Sequence, residues 1–149
     1  MKKKKIIQFL IIIVLIFIIL SLALNIIQLL GNKPQVCINE KCFQVEIAKT
    51  QAEREKGLMF RENLDEDKAM LFIFENSGIY SFWMKNTLLP LDIIWVNENK
   101  EVMFIKENAQ PLNETFIIPN QSAIYVLELN AGIVNKFNIS IGNPVKLIE

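Results

Sequence analysis

The chain has 149 residues, enough for one domain of ordinary size, with 16 basic and 16 acidic residues and no histidine. The missing histidine excludes Ser-His-Asp and Cys-His nucleophilic schemes, imidazole general bases and histidine-ligated zinc. Any catalysis has to come from carboxylates, lysine, tyrosine or hydroxyls, and we expect neither a metal site nor a cofactor.

The charge is unevenly spread. Lys2 to Lys5 are consecutive positive charges, and Ile6 to Leu30 are apolar except for Gln8, Ser21, Asn25 and Gln28. Such a run is long enough to cross a hydrocarbon core of about 30 Å at about 1.5 Å per residue. The lysines ahead of it predict a cytoplasmic tail (1–5), a single-pass anchor in the cell membrane (6–30) and the rest of the chain outside. The alternative is a signal peptide cleaved near Ala23, where Ser21-Leu22-Ala23 has the small–x–small pattern, giving a secreted domain. Ile26, Ile27, Leu29 and Leu30 continue the apolar run past that point, which favours the anchor. Without Lys2 to Lys5 the chain keeps 12 basic residues against 16 acidic, a net of −4. A net-acidic domain with no basic run is poorly suited to nucleic acid, so no such partner is expected.

A linker (31–35) leads to the domain (36–149). In VCINEKCF, an Asn39-Glu40 hairpin turn makes Ile38 and Lys41 the closing pair and sets Cys37 opposite Cys42, a separation a disulfide can span. Two free thiols are the alternative. The C-x4-C spacing, with only Lys41 nearby as a cation, argues against a redox site. Phe43, Val45 and Ile47 alternate with polar or small residues as a half-buried strand. Thr50 and Glu53 form a capping box for a short helix that Gly57 ends. Leu58-Met59-Phe60 should plug into the core, and 61–68 should be a charged loop. Ala69 to Phe74 reads as a strand buried on both faces, with Glu75 to Gly78 as a turn.

The stretch YSFWMKNTLLPLDIIWV (Tyr80 to Val96) reads as two strands, Phe82 to Met84 and Ile93 to Val96, joined by a polar connection. Alternation turns Phe82 and Met84 one way and Trp83 the other. Glu101 to Lys106 is a strand pairing with Ile93 to Val96 as a hairpin, and Phe116 to Ile118 a short edge strand stopped by Pro119. Ala123 to Leu129 is a strong strand, Ala131 to Lys136 one or two helical turns, and Val145 to Ile148 a closing strand. The fold class is therefore all-β: a β-sandwich or small barrel of seven to eight short strands with one or two short helices, behind a transmembrane helix.

Taken together, Arg54-(x)2-Gly57-Leu58-Met59-x-Arg61, Met70-Leu71-Phe72-x-Phe74, Phe82-Trp83-Met84-Lys85-Asn86-Thr87-(x)2-Pro90-Leu91-Asp92-Ile93, Val126-Leu127-Glu128-(x)2-Ala131-Gly132 and Gly142 form a pattern. It resembles the "domain of unknown function 192" family over about residues 43–149. The resemblance implies a compact β-sandwich-like domain, commonly behind a signal peptide or anchor in bacteria and archaea, and implies no activity. Ala69 stands where the family often has a glycine.

Candidate ligand-binding residues are Trp83, Lys85, Asn86, Thr87, Asp92 and Arg61. They would form a polar cleft at Lys85–Asp92 for a small molecule, glycan or protein partner. The competing reading is a tied corner in which Asp92 accepts from Thr87 or backbone N–H groups and Lys85 pairs with a buried acid. Arg61 should fork onto Glu128 or Asp92. Asp92, Glu128 and Lys85 are the catalytic candidates: Asp92 and Glu128 as an acid/base pair would make a hydrolase or lyase acting on cell-envelope material.

Overall fold

The structure, a computed structural model, describes residues 2–29 and 33–148. The expected linker, the last residue of the expected span and the first of the basic tail fall wholly or partly outside those residues. The chain divides into two compact units, 1–33 and 34–149.

The first unit is one helix, α1 (Lys2–Leu29), whose described side chains in the Ile6–Leu24 stretch are almost all exposed apolar groups. That stretch of 19 residues, mean hydropathy 3.2, is long and apolar enough to cross a membrane, a test that a signal sequence also passes.

The second unit is all-β, a single curled sheet of seven strands with two short helices. Its elements are β1 (Gln35–Ile38), β2 (Lys41–Ala48), α2 (Gln51–Lys56), β3 (Lys68–Gly78), β4 (Leu91–Val96), β5 (Val102–Ala109), β6 (Ala123–Asn130), α3 (Ile133–Lys136) and β7 (Val145–Ile148). The order across the sheet is β5-β4-β6-β3-β2-β1-β7, with β2 and β3 parallel and the other pairs antiparallel. The sheet curls until its edges touch. Glu101 bridges Pro144, and the Val145 amide donates to the Lys100 carbonyl at 2.8 Å.

This curl makes two cores from one sheet, because successive residues of a strand face opposite ways. The inner core takes residues from all seven strands, among them Ile38, Phe43, Leu71, Ile94, Val102, Leu127 and Val145, and is plugged by Ile133 and Val134 of α3. The outer core, with Met70, Phe72, Ile93, Trp95 and Val126, is covered by Leu58, Phe82, Met84 and Ile117 from the connections. At about 25 cal/mol per Å2 of apolar surface, two such layers supply the main stabilising force of the domain.

Local expectations fare unevenly. Thr50 and Glu53 make the full capping box, and Gly57 takes φ +47° at the helix end. Cys37 and Cys42 are register partners with sulfurs 2.03 Å apart, at disulfide distance, and Ile38 pairs with Lys41. The expected turn Glu75 to Gly78 is instead the end of β3, carried across a register shift to pair Gly78 with Ala123. Phe82 to Met84 and Phe116 to Ile118 are not the expected strands. They share one bridge, Phe82 to Ile117, and lie as a covering layer over the outer core. Of Leu58-Met59-Phe60, Leu58 is buried, Met59 is half-buried and Phe60 is 67% exposed.

Candidate functional site

The connection from Lys85 to Asp92 is tied by its backbone more than by its side chains. Asn86 adopts φ +52°, a left-handed turn that asparagine tolerates better than bulkier residues. Its carbonyl accepts from Phe60 N at 2.8 Å, and the Thr87 carbonyl accepts from Leu112 N at 3.0 Å. Thr87 is buried, and its hydroxyl donates to the Lys85 carbonyl at 3.3 Å. Phe60 and Leu112 also have positive φ, 65° and 58°, which is strained for large side chains. Both, with Leu88, expose apolar groups around the turn.

Asp92 is 1% exposed and fully used. Its Oδ1 accepts from Asn108 N and its Oδ2 from Val134 N, each at 2.9 Å. Asn108 (φ +47°) lies where β4 and β5 slip register: Leu91 faces Ala109, but Ile93 faces Lys106. The carboxylate therefore holds the bulge of one strand to the first turn of α3. Thr87 is not its donor, and the two N–H groups satisfy the desolvated charge.

Register separates the two carboxylates proposed as a pair. Asp92 stands opposite Leu129 and Glu128 opposite Ile93, so their side chains leave opposite faces of the sheet. Glu128 points into the outer core, 5% exposed, with Oε2 lacking a hydrogen-bond partner. Burial pushes its carboxyl up to about 8, against a smaller opposing pull from Arg61. Gly57 roofs it, since a Cβ there would sit 3.7 Å from Oε2 and 3.3 Å from the Phe72 ring. Arg61 forks onto Glu46 at 2.5 and 2.6 Å, rather than onto Glu128 or Asp92. That fork holds Glu46 below the usual carboxylate range.

Lys85 pairs with an aromatic ring rather than an acid: its Nζ lies 4.9 Å from the centre of the Trp83 ring. Trp83, half-buried, also stacks on Phe116, with centroids 5.3 Å apart and planes 9° apart. Phe116 is 56% exposed and forms one wall of a cleft of about 300 Å3. Met84, Ala109 and Ile117 give this cleft an apolar floor, and Lys106, Asn108, Gln110, Asn113 and Thr115 ring it. Two of the amides are held in place: Gln110 Nε2 donates to the Asn108 carbonyl, and Asn113 Oδ1 accepts from Thr115 N, both at 2.9 Å. Asp92 thus positions the cleft from behind, by holding Asn108 N.

Of the residues singled out in the sequence, Trp83 stacks against the Phe116 wall and Lys85 lies over Trp83, though neither lines the cleft itself. Asn86, Thr87 and Asp92 brace the chain beside it, while Arg61 and Glu128 lie elsewhere on the outer face. Asn108, Gln110, Asn113 and Phe116 were missed. Their signal was three amide side chains within six residues, in a segment that reads as an ordinary polar loop.

Residues 34–147 match the DUF192 family, described as "Uncharacterized ACR". A UPF0127 protein of Thermococcus sibiricus is 31% identical over 107 residues, 68% of this chain, and the match spans 64% of that relative's length. A crystal structure of a protein of unknown function from Novosphingobium aromaticivorans is 37% identical with a TM-score of 0.73, over 75% of this chain and 83% of that one. A crystal structure from Sinorhizobium meliloti, of a protein described as a proposed transcription regulator, is 36% identical with a TM-score of 0.75, over 78% of this chain and 94% of that one. The chain belongs to the DUF192 family.

Proposed function

We propose that the chain is a membrane-anchored, exported binding module that takes a small polar molecule in the cleft beside Phe116. One observation carries the reading. Asn108, Gln110, Asn113, Thr115 and Lys106 converge on a small apolar floor next to an exposed aromatic ring. A few polar groups around apolar and aromatic surface is the general make-up of a small-molecule site, in which the polar groups set orientation. Export rests on the lysines ahead of an apolar helix, and a cysteine pair at disulfide distance fits an oxidising compartment.

Calorimetric titration of the purified chain with panels of sugars, amino acids and small carboxylates tests the site. A ligand of this cleft should lose at least about tenfold in affinity, about 1.4 kcal/mol, in Phe116→Ala and in Gln110→Ala. Ligands indifferent to both changes would place binding elsewhere and sink the reading. Protease added outside intact cells should remove the domain from the anchor, and a protected domain would overturn the topology.

A further inference from the structure

The Trp83–Phe116 stack has a second cleft on its other side. It measures about 320 Å3 and is lined by Gln51, Arg54, Phe74, Tyr80 and Trp83, among others. Its aromatic floor is firmly built. The Phe74 and Tyr80 rings lie 3.5 Å apart between centroids and 10° from parallel, and the Arg54 guanidinium lies 5.0 Å from the Phe74 ring centre. The Tyr80 hydroxyl donates to the Asn76 carbonyl at 2.7 Å, and Arg54 Nη1 donates to the carbonyls of Lys49 and Ile73. Gly78 leaves room for the Tyr80 ring, which would sit 3.2 Å from any Cβ placed there.

The wall between the clefts is thin. Phe82 lines the second cleft and Ile117 the first, and the two exchange both backbone hydrogen bonds, at 3.0 and 2.8 Å. The distance across such a pair is one strand spacing, about 4.8 Å. Two clefts of similar size, the first ringed by amides and the second built of aromatic rings beside Arg54 and Glu55, therefore meet at one aromatic ridge, an arrangement that suits an extended ligand of several units.

We propose that one extended oligosaccharide lies across the Trp83–Phe116 ridge with sugar units in both clefts; this rests on the reading of the first cleft as a binding site. Sugar rings present an apolar face to aromatic rings and a polar rim to amides and hydroxyls, the two kinds of surface found here. A peptide that binds by adding a strand needs a free strand edge. Here the backbone along the ridge is engaged with itself, Phe82 with Ile117 and Met84 N with the Asn113 carbonyl. The acidic balance of the chain beyond its N-terminal lysines disfavours a polyanion. Amide-bearing neutral sugars match Asn108, Gln110, Asn113 and Gln51 best.

The test is calorimetric titration of the full chain, in detergent, with N-acetylglucosamine and its β-1,4-linked trimer and hexamer. Affinity should rise by about tenfold or more from monomer to hexamer as the second cleft is engaged. Gln51→Ala, at an exposed position, and Tyr80→Ala, checked for folding by its thermal melt, should weaken the hexamer severalfold and leave the monomer unchanged. Phe116→Ala should weaken both. Equal affinity for monomer and hexamer would overturn the extended ligand while keeping the first cleft. Ligands of another class that depend on Phe116, with no sugar binding, would also overturn it. Preference for an extended serine–glycine peptide over the hexamer would overturn the choice of glycan. Sugar binding insensitive to Phe116→Ala would remove the first-cleft reading as well.

Discussion

Glu128 gives the sharpest test of how the domain is assembled. Its carboxyl lies in the outer core with Oε2 unpartnered, and burial pushes it up to about 8 from an ordinary 4.5. Below pH 4.5 both the folded and unfolded chains hold this proton, so it adds no pH dependence. Above 4.5 the unfolded chain releases it while the folded chain keeps it, so stability falls as pH rises towards 8. From pH 4.5 to 7 the interval is about 2.5 units. At about 1.4 kcal/mol per unit the loss is about 3 kcal/mol, a large share of the 5–15 kcal/mol typical of whole domains. Glu128→Gln keeps the shape and removes the titration. Its unpaired amide adds an offset that does not change with pH, and the carboxylates that Arg61 and Thr50 hold at low values, Glu46 and Glu53, act equally in both proteins. Residues 34–149 contain both cores whole, so this domain can be unfolded by urea on its own. Between pH 4.5 and 7 the variant should gain about 3 kcal/mol relative to wild type. A difference that stays constant would mean Glu128 titrates normally. A difference that moves the other way would mean it is ionised and partnered in the fold.

Asp92→Asn should destabilise the domain by about 2–4 kcal/mol in the same assay, because one oxygen is lost and an amide donor then faces an N–H donor. It should also weaken ligand binding, since Asn108 loses its tie. Asn86→Gly should be close to neutral and Asn86→Val should cost about 1–3 kcal/mol, as φ +52° tolerates glycine but not a β-branched residue. Alkylation of the chain purified without reductant should label neither Cys37 nor Cys42. Replacing both with serine should cost no more than about 2 kcal/mol, because the closed loop is short.

Much of the sheet could be read from the sequence, because strands with a one-sided or wholly apolar pattern leave little choice. Ala123 to Leu129, Ile93 to Val96 paired with the strand after Asn99, and the Cys37–Cys42 hairpin are examples. Arg61, Phe82 to Met84 and Glu75 to Gly78 were harder, because long-range register decides them. Phe82 has strand-like neighbours yet lies over the sheet, since β4 is already flanked by β5 and β6. Arg61 meets Glu46 because the parallel β2–β3 connection brings 57–61 back past β2, and nothing local encodes that. Asp92 was recognisable as a residue needing partners, but its donors come from a bulge and a helix start 16 and 42 residues away. The cleft escaped notice for the same reason: Met84 and Phe116 become neighbours only when the two covering segments pair.

The most direct measurement of the binding role is the amide spectrum of the labelled domain, 34–149, titrated with the N-acetylglucosamine hexamer. The side-chain NH2 signals of Asn108, Gln110 and Asn113 and the indole N–H of Trp83 should shift together and saturate. Shifts confined to residues remote from Phe116, or no saturating shift with any sugar that the full chain binds, would contradict a binding site in this cleft.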